Sequence, residues 1–138
     1  MSTVLRPEVS KKNQYWIEKH RYYELKHFCL QYPIWKQSYL ALDGMAKRSF
    51  ELNTSGNTNC SSPVEKCVEK RLYFIDRMEM IEKATKDTDI ELCDYILQAV
   101  TKGYSYDYLL THYSIPCCKD VYYSLYRKFF WILNKSRK

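Results

Sequence analysis

The side chains best suited to chemistry lie near the C-terminus, along a helix predicted over about 118–134. A helix in the major groove of DNA meets base edges with its early residues, while cations and hydroxyls on flanking turns bind phosphates. Four early residues have types that can read bases: Lys119, Asp120, Tyr123 and Ser124. Arg127 is suited either to a base or, together with Lys128 and Lys102, to phosphates. The sequence therefore predicts a double-stranded DNA-binding surface on this helix.

Neutral hydroxyl groups just before that helix add to the predicted surface. Tyr104, Ser105 and Tyr106 are expected to contribute phosphate contacts, since the helix that precedes a recognition helix normally crosses the DNA backbone. Ser105 is also the predicted cap of a short helix over 106–112. In that helix we expect Leu109 and Leu110 to be buried.

Metal, redox and catalytic chemistry are poorly supported. The chain has six cysteines, Cys29, Cys60, Cys67, Cys93, Cys117 and Cys118, but no C-x-x-C or His-x-x-x-His spacing and no export signal that would favour disulfides. The histidines, His20, His27 and His112, have no carboxylate or nucleophile at a catalytic spacing, and no glycine-rich phosphate loop is present. We therefore expect no enzyme activity, no metal and no cofactor, with Cys29, Cys67 and Cys93 acting as small apolar residues.

Charge is unevenly distributed along the 138 residues, which carry a net charge of +6. Residues 1–53 have nine basic against five acidic side chains, 54–101 six against nine, and 102–138 seven against two. A basic C-terminal segment favours a partner with negative charge. No apolar run approaches the roughly 18 residues of a membrane span, so we expect a soluble intracellular protein that does not contact membranes.

The elements that must position this surface are all predicted to be helical. A bent N-terminal hairpin is predicted from a helix over 14–32, which Pro33 ends or kinks, and a shorter helix that Gly44 ends. Residues 53–62 are predicted as a polar loop, which separates an N-terminal unit (1–52, a candidate partner surface) from a helical domain (63–138).

A long amphipathic helix over 63–86 is predicted to start that domain, because Ser62 and Glu65 match a capping box around Pro63. Its apolar stripe is Val64, Cys67, Val68, Ile75, Met78 and Ile81. A second helix over 89–101 is predicted with Thr88 as its cap, Gly103 as its left-handed end and a buried stripe of Ile90, Cys93, Leu97 and Val100.

A helix-turn-helix is predicted within about 89–134, because the short helix 106–112 and the last helix are joined by a tight turn. The expected packing face of the last helix is Tyr122, Leu125, Phe129 and Ile132, and the opposite face bears the candidate DNA-binding residues.

The C-terminal half resembles phage late-gene transcriptional activators of the RinA and ArpU families, whose last helices are similar to region 4 of sigma factors. The segments that resemble them are VEKRLYFIDRMEMIEKATK, ELCDYILQAV and GYSYDYLLTHYSI, then the pair Tyr122-Tyr123 followed by Arg127, Lys128 and Phe129. The N-terminal YWIEKHRYYELKHFCLQYPIW is similar to small clostridial prophage proteins of this group, so the resemblance spans 13–134. It implies a regulator of phage or prophage origin that contacts RNA polymerase or a neighbouring regulator.

This sequence departs from the usual helix-turn-helix pattern at the turn. Leu110 and Ser114 stand where such units usually have a small residue and a glycine, and the turn is one residue longer. The crossing angle of the two helices, and hence the side chains that enter the groove, is therefore open.

Two other functions fit the same sequence. A small phage-encoded inhibitor would use tyrosine-rich helices to bind a host nuclease or polymerase, because tyrosine and tryptophan are favoured at protein interfaces. A DNA-recognition subunit of a phage packaging machine would share the helix-turn-helix but requires a ring-shaped homo-oligomer.

Overall fold

A computed structural model describes residues 13–52 and 63–137, and these residues form six helices and no strand. The helices are α1 (Lys19–Leu30), α2 (Tyr32–Leu52), α3 (Pro63–Thr88), α4 (Cys93–Lys102), α5 (Tyr106–Tyr113) and α6 (Lys119–Ser136). The predicted all-α class is confirmed. The predicted loop 53–62 and the predicted cap at Ser62 lie outside the described residues.

The N-terminal helices differ in length from the prediction. Residues 13–18 are not helical, because Asn13 holds a turn in which its side chain accepts the amide of Tyr15 at 2.9 Å and its carbonyl accepts the amide of Trp16 at 3.0 Å. As Pro33 predicts, α1 ends at Leu30 and a new helix begins at Tyr32. The prediction that Gly44 ends α2 is wrong, since an interior glycine costs a helix only about 1 kcal/mol.

The described residues cluster into two compact units. One contains α1, the end of α3 from Met80, and α4 to α6; the other contains α2 and the rest of α3 up to Glu79. In the second unit, Arg71 of α3 lies 5.2 Å from the ring centre of Tyr39 of α2 and donates to its hydroxyl at 3.3 Å. Among the described side chains of the stripe predicted for α3, Ile81 near the C-terminal end is buried, whereas Val68 is exposed.

The connection from α3 to α4 uses a different cap from the predicted one. Thr88 belongs to α3, and its hydroxyl donates to the carbonyl of Ala84 at 2.7 Å. The carboxylate of Asp89 instead accepts the amides of Glu91 at 2.8 Å and Leu92 at 3.1 Å. Since α4 begins only at Cys93, Ile90 lies in the turn and is 79% exposed, so its predicted burial is wrong.

The buried face of α4 is shifted relative to the predicted stripe. It consists of Ile96, Ala99, Val100 and Thr101, whereas Cys93 and Leu97 are only half-buried. The predicted helix end is confirmed: Gly103 has φ 73°, and its amide donates to the carbonyl of Ala99 at 2.9 Å. Helices α4 and α6 both pack on α1, and α4 also contacts α5.

The connection from α5 to α6 occupies residues 114–118. Ser114 adopts the left-handed conformation, with φ 51°, and Ile115 is buried below it. In α5, Leu109 is fully buried as predicted, but Leu110 is 48% exposed, so the expectation for that residue is wrong. The short α5 has a narrow buried face that holds one of the two adjacent leucines.

Candidate functional site

The buried side of α6 fixes the orientation of its candidate DNA-binding residues. Tyr122, Phe129, Phe130 and Leu133 are buried, whereas the predicted packing residues Leu125 and Ile132 are only half-buried. The packing face is therefore rotated towards α1, where the rings of Tyr22 and Phe130 meet edge to face with their centres 5.1 Å apart. The hydroxyls of Tyr22 and Tyr126 also form a hydrogen bond of 2.8 Å.

The far end of α6 is joined to α1 by polar contacts. The Nε of Arg21 donates to Asn134 Oδ1 at 2.7 Å, and Arg21 also donates to the carbonyl of Arg137. The guanidinium of Arg137 lies 4.0 Å from the ring centre of Phe28. These contacts all involve residues that follow Phe129 in the chain. They therefore hold the C-terminal half of α6 on α1, whereas the first two turns of α6 precede them.

The opposite side of α6 faces solvent. Asp120 and Ser124 are exposed there, and Arg127 and Lys128 are half-buried. Lys119 is exposed too, but it lies three and four residues before Tyr122 and Tyr123 and therefore on their side of the helix. Asp120, Ser124 and Arg127 follow one another at intervals of four and three, which places them on one side of the helix. Val121, between them and the buried face, is 46% exposed. This solvent side therefore combines cations, a hydroxyl, a carboxylate and one apolar contact.

The remaining predicted residues lie at the other edge of α6. Tyr123 is half-buried, lines a pocket, and has the ammonium of Lys119 5.8 Å from its ring centre. Ser105 lines the same pocket, and its Oγ accepts the amide of Tyr108 at 3.2 Å, which confirms its predicted capping role. Lys102 is exposed at the end of α4, 5.9 Å from the ring centre of Tyr104.

Tyr106 is not placed to contact phosphate as predicted. Its side chain is buried, its hydroxyl donates to the carbonyl of Cys117 at 2.7 Å, and its ring lies 5.4 Å from that of Tyr122. Tyr106 instead ties α5 to the turn and to the start of α6.

Half-buried and exposed rings are stacked along α5. Tyr104 and Tyr108 stack at 4.1 Å between ring centres, and Tyr108 and His112 at 4.0 Å. Tyr113 lies 6.0 Å from Tyr104. With Lys102 at one end, this stack forms a mixed aromatic and cationic surface beside the pocket.

The pocket has a volume of about 210 Å³, is partly open to solvent, and is lined by α1, α4, the start of α5 and the part of α6 from Tyr122 to Phe130. Its walls include the rings of Tyr22, Tyr104, Tyr123 and Tyr126, and Lys26 of α1 also lines it. The sequence does not indicate this site, because its walls come from three separate segments, 22–30, 99–106 and 122–130. The one local signal is the spacing of Tyr22 and Lys26, four residues apart and hence on one side of α1.

Burial changes the acid–base properties of the pocket phenols. Burial raises the pKa of Tyr122, and burial together with the charge and hydroxyl of Tyr22 raises the pKa of Tyr126 well above its ordinary value. Both groups therefore stay protonated and neutral at physiological pH. The pocket thus presents neutral rings and hydroxyls, with Lys26 as its cation.

Residues 13–52 and 63–137 hold no group of three or more His, Cys, Asp or Glu side chains arranged to bind a metal. In these same residues, no helix combines the length and apolar character needed to cross a bilayer. The chain matches no family model, no curated protein and no solved structure. Function is therefore argued from the site itself.

Proposed function

We propose that this chain is a sequence-specific DNA-binding transcriptional regulator of phage or prophage origin, which acts in the bacterial cytoplasm. In this proposal α5, the turn 114–118 and α6 form the helix-turn-helix, and α6 is the recognition helix in the major groove. The observation that carries the proposal is the two-sidedness of α6. Phe129 and Phe130 anchor one side, while the exposed Asp120 and Ser124 and the half-buried Arg127 lie on the other.

The connection between α5 and α6 supports this proposal. The Tyr106 hydroxyl donates to the carbonyl of Cys117, two residues before the start of α6, and Ile115 in the turn is buried. A recognition helix needs such a fixed start, because its early residues must reach base edges in a constant register. The left-handed Ser114 performs here the conformational role that a glycine usually has.

The residue types on α6 suit both parts of DNA recognition. Lys128 and Lys102 are suited to phosphates, whereas Arg127 can bind guanine in a bidentate manner. Asp120 would repel phosphates but can accept the amino group of cytosine, so its place in the first turn favours base reading. The Ser124 hydroxyl can bind either a base or a phosphate. The Tyr123 hydroxyl is expected to contribute from the pocket edge.

The decisive experiment is a fluorescence anisotropy titration of the protein with duplexes from the upstream DNA of its source genome. Arg127→Ala should weaken binding by about 1–3 kcal/mol and relax the preference at one base position. Lys128→Ala should weaken binding to all duplexes by a similar factor. Lys83→Ala is the matched control, because Lys83 is exposed on α3. Wild-type affinity in both α6 variants would contradict the proposal.

A second candidate function is binding to a host protein, such as RNA polymerase or a nuclease that the chain would inhibit. The observation that favours it is a set of exposed apolar side chains in the unit of α2 and α3: Ile34, Leu40, Val68, Leu72 and Tyr73. Exposed apolar side chains mark a protein contact when they form one continuous patch. An activator requires such a contact in addition to DNA, so the two functions are compatible.

A further inference from the structure

The pocket behind the first two turns of α6 has the features of a small-molecule site. It is bounded by α1 on one side, by α4 and the start of α5 on the other, and by Tyr122, Tyr123 and Tyr126 of α6. We propose that it binds a small planar aromatic carboxylate, and that the bound acid controls the position of α6. The second half of this proposal rests on the DNA-binding function proposed above.

The size of the pocket limits its occupant to one or two rings. A dry cavity of roughly 150 Å³ holds a benzene molecule. At about 210 Å³, this pocket has room for a fused two-ring compound or for a single ring with a short substituent. The backbone at Gly103 and the small side chain of Ala99 keep the α4 side of the pocket open.

The walls favour a flat aromatic ligand over an aliphatic one. Tyr22, Tyr104, Tyr123 and Tyr126 bring ring faces and edges to the pocket, and Phe130 adds a fifth ring. Aromatic pairs gain about 0.5–1.5 kcal/mol beyond the area they bury when they stack with an offset or meet edge to face. A ligand ring would extend the existing contacts, in which Tyr126 and Phe130 already meet edge to face at 4.9 Å.

The charge of the ligand follows from Lys26. This lysine is half-buried in the pocket wall, and among residues 13–52 and 63–137 it forms no ion pair. Among the side chains that the structure describes, no acidic one lines the pocket. A carboxylate therefore meets one cation and no repelling anion, and phenol hydroxyls can donate to its remaining oxygen.

An occupant of this pocket would touch both the anchor and the recognition helix. Tyr22 and Lys26 belong to α1, which holds the C-terminal half of α6, whereas Tyr122 and Tyr123 are in the first turns of α6. The ligand can bind more tightly when these turns are in one position than in another. It then changes the affinity for DNA by the ratio of its own affinities for the two positions. The same Tyr123 also borders the proposed DNA-binding side.

Direct binding is tested first, by isothermal titration calorimetry and two-dimensional NMR of the full chain without DNA. The probes are indole-3-acetate and its neutral analogue indole-3-acetamide, which share the ring and differ in charge. We expect the acid to bind about five-fold more tightly than the amide, the gain typical of a partly exposed ion pair. Shifted resonances should belong to pocket residues such as Ala99 and Gly103.

Two variants test the residues that carry the inference. Lys26→Gln should remove the difference between acid and amide, whereas Lys83→Gln, a change of the same type at an exposed site on α3, should preserve it. Tyr104→Ala removes a wall and should weaken both probes several-fold, with Tyr73→Ala in the other unit as its control. Circular dichroism of each variant verifies that the helices are formed.

The outcomes separate the pocket from the DNA-binding proposal. Loss of all probe binding up to millimolar concentration, or equal acid binding by Lys26→Gln and wild type, would overturn the pocket assignment. Probe binding with no affinity for any DNA would retain the pocket and remove the DNA-binding function. If both bind, saturating acid should change DNA affinity at least about five-fold; an unchanged affinity would refute control of α6.

Discussion

Tyr122 and Tyr126 show how burial alters a residue whose phenol ordinarily has a pKa near 10. Burial is the main cause that raises both pKa values, so each folded-state phenol keeps its proton at a pH where the unfolded chain has lost it. The unfolded state is then favoured by ionisation. This contribution to folding is complete below pH 10 and is lost as the pH rises towards the folded-state values.

The resulting prediction is a fall in the free energy of unfolding above pH 10, by at most about 1.4 kcal/mol per pH unit for each of the two phenols. Urea denaturation followed by circular dichroism from pH 8 to 11 measures it. Tyr126→Phe lacks one of the two phenols and should show a shallower decline. A variant that declines as steeply as wild type would mean that Tyr126 ionises equally in the folded and unfolded states.

Individual buried residues were predictable where the helical period left no choice. Tyr122 and Phe129 of α6 are buried as expected. Where two adjacent apolar residues compete, as Leu109 and Leu110 do, the period alone cannot select between them. The contact between Tyr22 and Tyr126 depends on which helices pack together, and no local pattern holds that information.

At the scale of the elements, the ends of helices were predictable from side-chain chemistry only where one residue offered the strongest cap. As expected, Ser105 caps the start of α5 and Gly103 ends α4. Thr88 and Asp89 are adjacent candidates, and the carboxylate takes the two amides because it is the stronger acceptor. That one-residue change delays the start of α4 to Cys93 and exposes Ile90.

The turn between α5 and α6 provides a prediction at this scale. Ser114 is in the left-handed region at φ 51°, which is strained for a residue with a Cβ. Ser114→Gly should raise the free energy of unfolding by up to about 1 kcal/mol, because relief of strain exceeds the added entropy of the unfolded chain. Ser114→Val should lower it. Thermal unfolding of the three proteins gives the order, and a less stable glycine variant would contradict this account.

At the scale of the whole molecule, the all-α class was predictable because every long apolar pattern has the helical period. The grouping of helices was not, since periodicity identifies an apolar face without identifying its neighbour. Helix α3 illustrates the difference, for its residues up to Glu79 group with α2 and those from Met80 with the other helices. The pocket could not be predicted for the same reason, because three separate segments must meet to form it.

The distribution of charge over the whole chain leads to a prediction that separates DNA binding from protein binding. Residues 102–138 have seven basic and two acidic side chains. If Lys102, Lys119, Arg127 and Lys128 each bind a phosphate, each releases about one counterion, and log affinity should fall with log salt at a slope of about −3 to −4. An interface made by exposed tyrosine and aliphatic side chains would show little dependence on salt.

Two lysine variants test this slope. Lys128→Gln should reduce the magnitude of the slope by about one, whereas Lys83→Gln should leave it unchanged, since Lys83 lies on α3. Anisotropy titrations between 50 and 200 mM salt on one duplex measure all three slopes, and a flat wild-type slope would favour the host-protein function instead.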